Sequence, residues 1–134
     1  MRSNKELSDY RLEKAEKCLN LARKLLNEEE HEGAANRSYY CIFHCMRSIF
    51  ALEPIDFKKH SAAIAYFRRT YIKSGKFGDV GKRLSNIISD LFELRGDSDY
   101  EDFYIISKQE VAEQVENAEY FLEQIKAYLA KQGI

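Results

Sequence analysis

Apolar residues recur along this chain at spacings of three and four, the signature of helices that each bury one face. Between about Leu7 and Asn27 the stripe is Leu12, Ala15, Leu19, Ala22 and Leu26. The acidic run Glu28 to Glu30 and the Glu32-Gly33 pair mark the turn that follows. A second helix is predicted from about Ala34 to Leu52. It must stop before Pro54, because a residue preceding proline is pushed out of the α region. A third begins near His60 or Ser61 and ends before Gly75, with Gly75-Lys-Phe-Gly78 as the next turn. A fourth spans roughly Asp79 to Arg95, closed by Gly96 as a left-handed cap. Ser107-Lys-Gln-Glu110 is a capping box that opens the fifth. Its seam is Val111, Val115, Ala118, Leu122, Ile125 and Leu129. Residues 96 to 106 are acidic and aromatic-rich, with no usable period.

Long narrow seams on the first and last helices suit antiparallel packing, so the predicted fold is all-α: an up-and-down helical bundle with about five helical segments. With 134 residues the chain makes one domain, 1–134, with room for a substantial core. One proline and six glycines are too few for the turns of a β-sandwich. The longest apolar run, Ala62 to Phe67, is six residues, so no membrane contact is expected. MRSNKELSDY lacks the apolar core of a secretory signal. Three cysteines make no disulfide scaffold. The expected location is cytoplasmic.

Net charge is −1, which excludes a bulk polyanion binder, yet its distribution is uneven. From Lys58 to Arg83 eight basic residues stand against Asp79 alone, giving +7 and leaving −8 elsewhere. Such a stretch can steer a phosphate chain, or it can simply solvate a helix and its ends.

The second helix carries the most informative surface. Ala35, Tyr39, Ile42, Phe43, Met46, Ile49 and Phe50 fall within about 120° of arc and form its core stripe. Roughly opposite sit Arg37, Tyr40, His44, Arg47 and Ser48. A merely solvated face favours lysine and glutamate, so arginine, histidine and tyrosine point to a second subunit or an anionic ligand. Cys41 and Cys45 flank His44 but give at most three ligands, and no second pair has finger spacing; no metal or cofactor is expected. Arg95 falls in the stripe Val80, Leu84, Ile87, Ile88, Leu91, Leu94, where an unpaired guanidinium is costly. It either pairs with Asp97 or Asp99 or emerges into a groove and grips phosphate. His60 aligns with Ile64, Phe67 and Tyr71 and reads first as a packing residue, second as a binding one. His31, in the acidic turn, reads as surface. Glycine-rich phosphate loops, GxSxG, HExxH and paired CxxC are all missing from the sequence.

Three blocks resemble the small stand-alone branch of the HEPN superfamily. Ala34 to Arg47 (AANRSYYCIFHCMR) is similar to its A-x-x-R-x-Y-Y-x-x-F-H-x-x-R helix. His60, an aromatic-bearing helix and Ile72-Lys-Ser-Gly75 form the second block. Leu94 to Tyr100 (LRGDSDY) is similar to an L-R-x-x-x-D-Y block, followed by a long final helix.

The resemblance implies a homodimeric helical bundle, often encoded beside a minimal nucleotidyltransferase, the two acting as toxin and antitoxin. It also implies binding of RNA or a nucleotide, and in many members metal-independent RNA cleavage by an R-x(4–6)-H motif on a late helix. Here Arg95 is followed five residues on by Tyr100 rather than histidine, and the R-x6-H spelling is Arg37 to His44 on the second helix. The expected catalytic set is therefore Arg37, His44, Arg95 and Tyr100, with Tyr40, Arg47, Asp99 and His60 as binding residues. A neutral imidazole at His44 would take the ribose 2′-hydroxyl proton, and arginines would stabilise charge on the phosphorane-like transition state. The alternative expectation is a non-catalytic nucleotide-binding or dimerisation module that partners a nucleotidyltransferase.

Overall fold

The computed structural model describes residues 3–53, 55–100 and 107–133, with side chains for 3–53, 55–92 and 107–133. Its helices are α1 (Asn4–Asn27), α2 (His31–Phe50), α3 (His60–Phe67), α4 (Gly81–Tyr100) and α5 (Lys108–Lys131). A π-helical turn, Arg68–Ile72, extends α3, and a 3-10 turn, Gly78–Val80, leads into α4. There is no strand among the described residues, and no helix among them is long and apolar enough to cross a membrane.

Helix α2 is the central element: α1 runs along it, α5 and α4 pack on other sides, and α3 touches it near its start. All seven residues of the expected α2 stripe are buried, from Phe50 at 0% to Phe43 at 6% exposure. The α5 seam from Val111 to Leu129 is buried throughout. Ala15, Leu19 and Ala22 of α1 close the other side, with Leu12 and Leu26 partly covered. A ring cluster fills the end of the core, where Phe67 lies 5.6, 5.8 and 5.9 Å from Tyr71, Phe77 and Phe121.

Several boundaries differ from the sequence expectation, each for a local reason. α1 begins at Asn4 rather than near Leu7 because Ser3 caps it, its hydroxyl accepting the Glu6 amide at 3.1 Å. α2 begins at His31, so Glu32 and Gly33 lie in its first turn instead of the connection. The turn itself is made by Glu28–Glu30, with Glu29 in the left-handed region at φ 62°. Gly33 is there for closeness: a Cβ would stand 3.1 Å from Leu25 of α1. His31, expected at the surface, is half-buried. α4 passes through Gly96 to Tyr100, since a glycine inside a helix costs only about 1 kcal/mol and stops nothing by itself. The Ser107 box forms as expected, its hydroxyl accepting the Glu110 amide at 3.1 Å. Gly75 and Gly78 make the α3–α4 turn at φ 83° and 58°.

Candidate functional site

Most of the polar face of α2 does not look into bulk water; it forms a seam with α1. Tyr40, His44 and Arg47 are half-buried there, and Arg37 is exposed at its edge. Ser48, expected on this face, is 0% exposed, and its hydroxyl turns back to the Cys45 carbonyl. Cys41 and Cys45 are likewise fully buried.

Two residues that the sequence reading did not single out complete the seam. Arg11 of α1 is only 8% exposed; it donates from Nη1 to the Arg47 carbonyl (3.0 Å) and from Nη2 to Asp56 (3.1 Å). Asp56, in the α2–α3 connection, also takes Arg47 in a two-point fork, Nε to Oδ1 at 3.2 Å and Nη2 to Oδ2 at 2.9 Å. Its Oδ1 further accepts the Phe57 amide at 2.9 Å. The Arg47 hydrogen bonds hold the Asp56 carboxyl below the usual carboxylate range, against the opposing effect of burial. One carboxylate thus serves two guanidinium groups, fixing both while neutralising only one.

His44 sits in the resulting field. Burial first, then Lys14, Arg47, Arg11 and His60, push its pKa down to about 4, so the ring is neutral at pH 7. Its buried Nδ1 has no hydrogen-bond partner among the described residues. Because an unfolded His44 regains a pKa near 6.5, acidification from 6.5 towards 4 protonates the unfolded chain first. This contribution to stability is present above pH 6.5 and lost as pH falls through the window. Urea midpoints at pH 7, 5 and 4 should accordingly fall less steeply in His44→Gln than in the wild type. Parallel curves would show that the ring is not held neutral.

An aromatic group joins the seam to α3. The Tyr39 hydroxyl is 2.7 Å from His60 Nδ1 in a hydrogen bond, and the Phe43 and His60 rings stand 4.0 Å apart. Tyr40 meets His60 edge-on at 5.8 Å and lies 6.3 Å from His44. His60 is therefore a site neighbour as well as a packing residue. Arg37 reaches the seam further along, beside the Cys18 thiol, which burial pushes up and Arg37 draws back; Lys14 acts on both Cys18 and His44.

The structure so brings Arg37, Tyr40, His44, Arg47 and His60 to one side of the bundle. Arg95, Asp99 and Tyr100 stand on the last two turns of α4, and their side chains lie outside the described residues. The basic stretch is dispersed rather than a continuous patch: Arg69, Lys76 and Arg83 lie over the rings of Tyr66, Tyr71 and Tyr120 at 5.6, 4.9 and 3.7 Å. Arg68 turns inward to α4. Arg11 could have been found by the rule applied to Arg95, since it lies four before Ala15 on the buried stripe. Asp56 carries no local signal, as it meets Arg11 across 45 positions of sequence.

Comparison with known proteins agrees with this architecture. The family model described as the HEPN domain matches residues 8–132. A UPF0332 protein of Thermotoga maritima is 31% identical over 126 residues, covering 94% of this chain and 93% of the relative. A Methanocaldococcus jannaschii protein named "Putative toxin MJ0142" is 31% identical over 134 residues, covering 100% and 88%. A UPF0332 protein of Archaeoglobus fulgidus is 27% identical over 118 residues, covering 88% and 91%. With the expected all-α bundle in place and the family model spanning nearly all of it, the chain belongs to the HEPN family.

Proposed function

We propose that this chain is a toxin-type HEPN protein that binds RNA along the α1–α2 seam and cleaves it without a metal ion. The observation that carries the reading is a neutral His44 with a buried nitrogen that has no partner among the described residues, set among Lys14, Arg11 and Arg47 with Asp56 opposing them. The name of the archaeal relative supports the toxin part.

In this reading Arg47 and Lys14 hold a phosphate, and the imidazole accepts the proton of the neighbouring 2′-hydroxyl. The 2′-oxygen bonds to phosphorus and the P–O5′ bond breaks, leaving a 2′,3′-cyclic phosphate and a 5′-oxygen that takes a proton from water. A pKa near 4 makes the free ring a weak base. The bound phosphate offsets the cations that depress it, lifting the ring towards the range where a general base works best. Binding and basicity are thus coupled by sign. Arg37 backs the cationic side, and Tyr40 and His60 border it. A homodimer would add Arg95, Asp99 and Tyr100 of α4, which enter through the family resemblance.

A second reading rests on Tyr100, which occupies the position where family ribonucleases carry histidine. In that case the seam binds RNA or a nucleotide without cutting, as the partner of a minimal nucleotidyltransferase in the cytoplasm. Incubating the purified chain with total RNA in EDTA separates the two. Cyclic-phosphate ends are expected under the first reading; retained binding with intact RNA would establish the second, and neither binding nor cleavage at low salt would defeat both.

A further inference from the structure

Beside the seam, between α3 and α4, lies a cavity of about 290 Å³ whose floor is Ile64, Ala65 and Ile88. Its one charged lining residue is Arg68, the first residue of the π-helical turn. The guanidinium is held from one edge: Nε donates to the Ser85 hydroxyl at 3.1 Å, and Nη2 donates to the Ser85 carbonyl at 2.9 Å and the Ser89 hydroxyl at 2.6 Å. No acceptor among the described residues takes its Nη1 donors, and no carboxylate among them pairs with it. Three neutral acceptors on α4 would not be needed to hold a solvated arginine; they fix the orientation of a charge that has no counter-ion among the described residues. At the rim stands Phe92, 45% exposed, the one large apolar side chain of the described part of α4 left to solvent. Its inner side rests against Tyr39 at 6.5 Å, and Tyr39 is the partner of His60. Cavity and seam are therefore neighbours across one buried tyrosine.

A tethered, unpaired guanidinium beside an exposed flat ring over an apolar floor matches one ligand chemistry: a planar base with a phosphate attached. The cavity holds about one such unit, at the small end of ligand pockets. We infer that the α3–α4 cavity is a nucleotide subsite in which Arg68 binds the phosphate and Phe92 stacks on the base. It rests on the reading of the seam as an RNA-binding surface and extends that surface by one unit past His60. The unit can come from an RNA strand that continues from the seam or from a free mononucleotide, since both present the same ring and anion.

The test uses the full chain, a labelled single-stranded hexauridylate and unlabelled uridine 5′-monophosphate, with affinities measured over a range of salt. Phe92→Ala should weaken hexamer binding at least fivefold, because stacking of a base on an aromatic is sequence-tolerant and strong. Phe92→Tyr should restore it and Phe92→Leu should not, which a packing role would not produce. Arg68→Gln keeps a polar group towards the serines and removes the charge. It should weaken binding and reduce the slope of log affinity against log salt by about 0.7, the value for one lost phosphate contact on a single strand. Parallel loss of monophosphate binding assigns the subsite to free nucleotides too; loss on the hexamer alone assigns it to the strand. A wild type that binds the hexamer, with Phe92→Ala and Arg68→Gln variants that bind equally well at every salt, overturns the subsite and leaves the seam reading intact. A wild type that binds neither probe overturns the RNA reading itself. Loss of a dimer in Phe92→Ala with RNA affinity unchanged gives the groove to a protein partner and also overturns the subsite.

Discussion

His44→Ala is expected to lower RNA cleavage by about 10²–10⁴-fold, the usual contribution of a positioned general base. The ring is half-buried at the edge of the α1–α2 seam, not in the ring cluster, so the fold and any dimer should survive. Binding of uncleaved RNA should change little, because Lys14, Arg11 and Arg47 supply the charge and none of them hangs on the imidazole by a hydrogen bond. Two further readouts separate a base from a structural support. Added imidazole should restore part of the rate, and the acidic limb of the wild-type pH profile should sit above pH 4, since substrate phosphate raises the ring's proton affinity. Full activity in the variant removes His44 from the role.

The largest stability effect should come from Phe67→Ala. Phe67 is 0% exposed, ends α3, and contacts rings from three other parts of the chain. Truncation leaves a cavity that Tyr71, Phe77 and Phe121 cannot jointly fill, because each is fixed by a different backbone segment. A loss of about 3–5 kcal/mol is expected from urea unfolding. Phe92→Ala, at a 45% exposed position, should stay within about 0.5 kcal/mol of the wild type. If the two variants lose comparable stability, the core does not lie where the burial places it.

Much of the bundle was legible in the sequence because its seams are long. On α1, α2 and α5 the three-and-four spacing persists for most of twenty or more residues, so a wrong period would have misplaced many apolar side chains at once. Ends were harder. Gly96 looks like a cap in isolation, but a glycine closes a helix only when the backbone turns left-handed there, and nothing local forces that turn. Ser3 caps the Glu6 amide as Ser107 caps that of Glu110, yet three residues of polar chain carry no periodicity to announce it. The site divides in the same way. Arg37, Tyr40, His44 and Arg47 stood out as expensive residue types on a face where cheaper ones would serve. Asp56 could not be found, since an ion pair between a helix and a remote connection leaves no trace in spacing. Arg68 was hidden as one of eight basic residues; its aim, towards Ser85 and Ser89, distinguishes it from Arg69.

The widened turn at Arg68–Ile72 ties these pieces together through chain length. A π turn holds one residue more than an α turn, and without it every later side chain would swing by about 100° around the helix axis. Phe67 before the turn and Tyr71 within it are both buried, while Arg68 between them aims at α4. Side chains here can be exchanged one at a time, but the count of peptide units cannot. A one-residue deletion within it would turn whatever follows relative to Phe67, making this short stretch a measuring rod between the aromatic core and the chain that leaves it.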